Sequence, residues 1–342
     1  MKYKVRASLT AGLFLAGAAW ATVEKPTAAV PAATGNAVLI QATPHDRLFS
    51  LVFDAEQGLA VGENGLLMNS SDGGKNWTRA KAPTDLALID VATNGKRTIA
   101  VGQMGLVLVR EGTGEWKKVD SGSDARLLQV DINAQGLAFA TGAFGTLLKS
   151  TDGGETWSNA APKWGDLYES GTGDTAVTRD EPTNWVVRVG DDGSVVLGGE
   201  YGQLIRSTDG GNDWKIVYRH VADDGRTSPT IFSMAIRSDG IGYAVGQSGL
   251  LIKTADSGVT WADVEAPTTS NLFGVDSFAD GTVVVVGQRV GLRSRDNGAT
   301  WQPIKGLDLN LNWYAALAHS QQATAGEVIG VGHSGRVIRL VP

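Results

Sequence analysis

An eight-residue pattern returns five times in this chain. The copies are Ser70–Trp77 (SSDGGKNW), Ser150–Trp157 (STDGGETW), Ser207–Trp214 (STDGGNDW), Thr254–Trp261 (TADSGVTW) and Ser294–Trp301 (SRDNGATW). A worn sixth copy runs from Glu111 to Trp116 (EGTGEW). Recurrence at this spacing means one supersecondary unit stacked many times, so the repeat governs the fold before any residue is read as chemistry. Within each copy the Asp carboxylate accepts hydrogen bonds from the turn's own N–H groups. The Gly pair permits the reversal, and the Trp ring folds back over the hairpin. The expected role of Asp72, Trp77, Asp152, Trp157, Asp209, Trp214, Asp256, Trp261, Asp296 and Trp301 is therefore structural.

A second landmark lies upstream of each copy: a strand ending in a small-apolar-Gly triplet, then a turn closed by glycine. The triplet glycines are Gly62, Gly102, Gly142, Gly199, Gly246, Gly287 and Gly332, separated by 40, 40, 57, 47, 41 and 45 residues. Four short strands in a period of about 40–45 residues is the pattern of a propeller blade. The expectation is all-β: a seven-bladed β-propeller with four-stranded antiparallel blades over residues 37–342. The seventh unit stops at Val337–Leu340 without a fourth strand, and the orphan stretch Ala37–Gln41 is the donor that completes it and closes the ring. The glycines flanking each turn are expected to supply positive φ. The sixth turn, Gln288-Arg289-Val290-Gly291, reads as one residue longer than the others. First strands aligned from Leu48-Phe49-Ser50-Leu51 to Trp313-Tyr314-Ala315-Ala316 place a small or polar residue third in six units, as a crowded axis demands.

The ends carry different signals. Lys2, Lys4 and Arg6 precede the apolar run Leu9–Trp20, and Ala19-Trp20-Ala21 offers a cleavage site, so residues 1–21 read as a signal peptide. Residues 22–36 are Ala/Pro/Thr-rich and read as a flexible linker. The mature protein is expected to be exported, periplasmic or extracellular, and at most peripheral to the membrane. Cysteine is absent, which excludes disulfides, thiolate metal sites and a thiol for lipid attachment. Formal net charge is -6, a balance that argues against nucleic acid as partner. Glycine, at 45 residues, is roughly twice its usual share, which suits a chain of tight turns.

No catalytic constellation emerges. The repeated Asp residues lie on different blades and do not converge. His45, His220, His319 and His333 show no paired metal-ligand spacing, and no Gly-rich phosphate loop opens a helix, so neither metal nor cofactor is expected. Asp191-Asp192-Gly193 and Asp223-Asp224-Gly225 read as ordinary acidic turns. What remains is a surface. The turns after the second strands place Glu63, Gln103, Phe144, Glu200, Tyr201, Gln247, Gln288, Arg289 and His333 around one mouth of the axis, a mixture suited to protein contact. Asn64 and Met104 share those turns, while Phe49, Trp185, Phe232, Phe273 and Trp313 either join the same mouth or serve as inter-blade core. The long third interval locates an insertion at about Trp164–Thr183, whose Trp164 and Tyr168 suggest a sugar- or peptide-binding loop.

The S-x-D-G-G-x-T-W motif resembles the Asp box (BNR repeat) found in sialidases, other glycoside hydrolases and sortilin-type receptors. Joined to A-V-G-x-x-G-x-[IL], as in Ala60–Trp77, Ala140–Trp157 and Ala244–Trp261, it resembles the photosystem II stability/assembly factor family over about Ala37–Pro342. That resemblance implies a non-catalytic scaffold holding a membrane-protein subunit during assembly, and the chain is expected to be a monomer. The rival class is a carbohydrate-active enzyme, sialidase-like or another glycoside hydrolase, or a glycan-binding propeller. A sialidase needs an Arg triad and a Tyr–Glu pair, and adjacent Glu200 and Tyr201 point to opposite sides of an extended turn.

Overall fold

The computed structural model describes residues 35–167, 181–220 and 228–342. It contains seven four-stranded antiparallel sheets. Blade 1 comprises Leu48–Asp54, Gln57–Gly62, Leu66–Ser70 and Thr78–Lys81. The innermost strands of blades 2 to 7 are Leu88–Thr93, Leu127–Ile132, Asn184–Val189, Ile231–Ile236, Leu272–Ser277 and Tyr314–Ala318. Each packs against the inner strand of the next blade, and the seventh against the first. The ring is shut by the expected strand: Ala37–Ile40 runs antiparallel to Val337–Leu340, with Ala37 opposite Arg339 and Val38 opposite Ile338. Asn36 holds that seam, its Nδ2 donating to the Lys305 carbonyl at 2.6 Å and its Oδ1 accepting the Val341 N–H at 2.8 Å.

The two glycines around each turn do different work. Gly65, Gly105, Gly145, Gly202, Gly249 and Gly335 do have positive φ. The triplet glycines do not: Gly62, Gly102 and Gly246 are extended, with φ of -165°, -170° and -164°. They are glycine because a backbone carbonyl lies where a Cβ would be. An added Cβ would sit 2.0 Å from the Arg47 carbonyl at Gly62, 2.0 Å from Ala87 at Gly102 and 2.1 Å from Thr230 at Gly246. That close approach accompanies a bulge at the start of every inner strand, where pairing skips the second residue.

The bulge also corrects the alignment of the seventh inner strand. Tyr314, not Trp313, pairs with the triplet glycine, as Leu48 does with Gly62. The third residue there is Ala316, and in blade 4 it is Val186, which is buried in the core between blades 4 and 5 rather than at the axis. The sixth turn is shorter, not longer. Val286 pairs with Gly291, whereas Val245 in blade 5 pairs with Leu251, so Gly291 is already the first residue of a strand.

The Asp boxes fasten blade to blade. In blade 3, Asp152 Oδ1 accepts the Ser150 hydroxyl at 2.7 Å and the Thr156 N–H at 3.0 Å, while Trp157 Nε1 donates to the Gly154 carbonyl at 2.9 Å. The second glycine of each box lies on an apolar side chain of the preceding blade's second strand. A Cβ on Gly74 would be 2.8 Å from Ile329, on Gly154 2.8 Å from Ile99, and on Gly211 2.6 Å from Phe139. Lys253 of blade 5 adds a charged link, its Nζ donating to the Asn297 carbonyl in the box of blade 6 at 2.9 Å.

Hydrogen bonds from Thr156 and Thr300 hold the Asp152 and Asp296 carboxyls down at about 2. Their depressed values lend stability at pH above the ordinary carboxylate value of 3.8, which is lost as pH falls toward 2. Acid unfolding followed by tryptophan fluorescence is expected to begin below about pH 4. Gly246→Ala should destabilise the fold by about 3 kcal/mol, read from denaturant unfolding, because the Thr230 carbonyl and its bulge must move.

Candidate protein-binding face and channel

All seven turns between second and third strands lie at one end of the ring, because they occupy the same place in every blade. Each holds a non-glycine residue in the left-handed region: Asn64 (φ 55°), Met104 (54°), Phe144 (55°), Tyr201 (65°), Ser248 (57°), Arg289 (60°) and Ser334 (56°). In blades 1, 2, 3, 5 and 7 a hydrogen bond spans the turn, as from the Leu106 N–H to the Gln103 carbonyl at 3.1 Å, and the following glycine is also left-handed. That is a type I′ turn, for which Asn-Gly is the relaxed choice. Blade 1 obeys with Asn64-Gly65. Blades 2 and 3 instead place Met104 and Phe144 there, which are 70% and 77% exposed. A left-handed backbone costs such a residue about 1–2 kcal/mol, and exposing an apolar side chain adds no compensation within the fold.

The first turn residues, by contrast, are engaged locally. Gln103 Oε1 accepts the Ala87 N–H at 3.0 Å, Glu200 Oε2 the Thr183 N–H at 2.7 Å, and Gln247 Oε1 the Thr230 N–H at 3.3 Å. Glu63 pairs with Arg47 at 2.6 Å, Gln288 Oε1 accepts from Asn271 Nδ2 at 3.2 Å, and His333 Nδ1 lies 2.8 Å from the Ser334 hydroxyl. All of these but His333 secure the entry of an inner strand, in blades 1, 2, 4, 5 and 6. Tyr201 is half-buried among the blade 3 and 4 residues that include Trp164. Arg289 is exposed beside Leu311, itself 69% exposed, and donates its N–H to the Asn312 carbonyl at 2.9 Å. Phe144, Tyr201 and Arg289 thus share one face, with Phe144 and Arg289 at its surface.

Trp164 is not a ligand platform. It is buried, with Nε1 donating to the Gly145 carbonyl at 2.9 Å, and it begins the helical turn Trp164–Leu167. Tyr168 and Asp223-Asp224-Gly225 lie outside the described residues. Asp191 and Asp192 serve as turn acceptors for the N–H groups of Ala134 and Ser194, both at 2.9 Å.

The inner-strand bulge turns the second residue of each strand inward. Phe49, Ile89, Leu128, Trp185, Phe232 and Phe273 thereby border an axial channel of about 930 Å³, along with Trp313, and Trp185 also packs against the core between blades 4 and 5. Trp185, Phe232 and Phe273 form a continuous wall, each neighbouring pair of ring centres 5.5 Å apart. Deeper in the channel, side chains reach to the next blade's backbone. Asp90 Oδ2 accepts the Val130 N–H at 2.9 Å, Asp131 Oδ2 the Val189 N–H at 2.8 Å, and Gln129 Oε1 the Val187 N–H. At the far end His319 Nδ1 lies 2.7 Å from Asp276, its ring stacked on Phe278. The third-position alignment of the inner strands puts Asp90 at the axis, whereas Asp131 and Arg188, fifth in their strands, are not singled out by it.

Enclosure by the ring pushes the Asp90 carboxyl up to about 6, against hydrogen bonds from Ser50 and the Val130 N–H, while the channel keeps part of it wet. Asp131 is raised by the same burial, opposed by Arg188. Burial, the largest single influence, disfavours the His319 charge, but the hydrogen bond and the negative charge of Asp276 together outweigh it and raise the imidazole. Among the described residues no cluster of three or more His, Cys, Asp or Glu side chains has metal-binding geometry. No helix among them is long and apolar enough to cross a membrane.

A closed ring of Asp-box blades carries a strained, exposed turn face at one end of an aromatic-lined axis. A family profile described as photosynthesis system II assembly factor YCF48 matches residues 34–122. The photosystem II assembly lipoprotein Ycf48 of Synechococcus sp. (strain CC9902) is 25% identical over 203 residues, which cover 49% of this chain and 61% of that protein. The chain therefore matches somewhat less than two thirds of its curated relative's length. Among solved structures, YCF48 from Cyanidioschyzon merolae superposes with a TM-score of 0.67 at 16% identity, covering 90% of this chain and 99% of the other. A structure of YCF48 bound to D1 peptide gives 0.64 at 18% identity, covering 89% and 96%. The chain has the seven-bladed propeller fold of these assembly factors and is similar to them in sequence over part of its length.

Because the raised Asp90 value favours the protonated form on folding, its contribution to stability is present below about pH 4 and lost as pH rises through 6. Asp90→Asn keeps an acceptor for the Val130 N–H and removes the buried charge. The variant should be more stable than the parent above pH 6, with the gap closing below pH 4, in thermal unfolding across that range.

Proposed function

We propose that this chain is an exported, monomeric, non-catalytic scaffold that holds a membrane-protein subunit during assembly, through the turn face of the ring. The observation that carries the reading is the pair Met104 and Phe144. Both are large, apolar, exposed and left-handed, at a position where Asn would relax the turn. Strain and exposure combined at equivalent tips of adjacent blades favour binding over stability. Arg289 and Leu311, on blade 6 and on the loop leading into blade 7, extend the face across the mouth. The relative's description as an assembly lipoprotein and the D1 peptide bound to a structural neighbour support a protein partner of the photosystem II kind. The basic and apolar start of the sequence, Lys2 to Ala21, supports export.

Asp90 and Asp131 each give one carboxylate oxygen to an N–H of the neighbouring blade, so their geometry does not by itself favour the carbohydrate-active reading. The test replaces Met104 and Phe144 together by Asn. Relaxing two type I′ turns should raise unfolding free energy by about 1 kcal/mol or more, while capture of photosystem II subunits from envelope or thylakoid extract falls at least about tenfold. Undiminished capture by the more stable variant would remove the face from consideration.

A further inference from the structure

The channel has the makings of a second site, separate from the turn face. Its volume of about 930 Å³ lies within the range of small-ligand sites, and its walls are unlike. Blades 2 to 4 present Asp90, Gln129, Asp131 and Arg188, whereas blades 5 and 7 present the small residues Ser233, Ala235, Ala316 and Ala318 at the matching positions and blade 6 presents Asp276. Small residues opposite polar ones leave room for an inserted side chain rather than a packed axis. Above them the collar carries a large apolar side chain in six blades and only Ala315 in the seventh, where Trp313 also borders the channel.

Charge identifies what would fit. Asp90 and Asp131 face a single guanidinium, Arg188, which approaches Asp131 only to 3.9 Å, longer than a hydrogen bond. The Asp276–His319 pair offsets itself, and Arg126 borders the channel at the mouth, one residue ahead of the blade 3 inner strand, while Arg188 is the cation that acts on Asp90 and Asp131. One carboxylate is left over, and the aromatic faces of Trp185, Phe232 and Phe273 stand on the way to it. Aromatic faces attract cations most strongly where water is partly excluded.

We propose that the channel receives an alkylammonium group, which passes the aromatic collar at Ala315 and is held by Asp90, Asp131 and Gln129. The group belongs either to a lysine side chain of a bound polypeptide or to a free diamine. Each acceptor is already aligned by a backbone N–H of the next blade, so occupation needs no rearrangement of the strands.

Calorimetric titration of the intact propeller with 1,5-diaminopentane, and separately with a capped Gly-Gly-Lys-Gly-Gly peptide, tests this. A norleucine peptide of the same length is the control. At least one amine should saturate a single site while the norleucine peptide gives no heat; which amine binds identifies the source. Two variants guard against misfolding. Asp131→Asn retains an acceptor for the Val189 N–H, and Ala315→Phe installs the residue that blades 1, 5 and 6 already carry at that position. Each should weaken binding at least about tenfold with little change in melting temperature. No saturation by either amine, equal binding of the norleucine peptide, or wild-type affinity in both variants would overturn the site. Capture through Met104 and Phe144 is read independently and is not expected to change in either variant.

Discussion

The contact between each triplet glycine and the carbonyl ahead of the inner strand underlies most of what this molecule presents to its surroundings. Only a residue without a Cβ allows that carbonyl to approach, and the approach goes with the inner-strand bulge. The bulge moves one side chain per blade out of the sheet's alternation and into the axis. Six of the seven are large and apolar, so the same steric feature that seats the inner strand also builds the collar. Fold and channel therefore share one cause.

The Asp box acts on the other side of each blade. Its carboxylate satisfies the turn, its Trp closes the hairpin, and its second glycine lies on the preceding blade. Blade order is thereby locked without a disulfide, in a chain that has no cysteine. The two blades lacking a full box are the second, with its worn copy, and the seventh, whose missing fourth strand arrives from the N-terminal end. Closure by a borrowed strand removes the free edge that an incomplete blade would leave.

The turn face departs from what stability alone would select. Asn64-Gly65 shows that the relaxed sequence is available to this chain, yet Met104 and Phe144 occupy the equivalent backbone in the next two blades. Their neighbours in the same turns, Gln103, Glu200 and Gln247, are bound back onto the strand entries. Polar turn residues that looked available in the sequence are thus partly spent on structure, and the exposed surface is narrower and more apolar than composition suggested. Tyr201 and Trp164 illustrate the same shift, since both pack inward where an exposed role had been expected.

The sequence by itself determined the blade count, the antiparallel four-stranded unit, the closing strand and the structural role of the Asp boxes. Each of these rests on short-range chemistry repeated along the chain, which spacing exposes. Only the tertiary structure decided which way the inner-strand side chains face, because a one-residue bulge reverses that assignment and leaves no mark in a period-two pattern. It likewise decided that Gly291 belongs to a strand, that Phe49, Phe232 and Phe273 border a channel, and that Asp90 and Asp131 meet backbone N–H groups of the following blade. Those facts depend on contacts between units tens of residues apart, which local propensity does not encode.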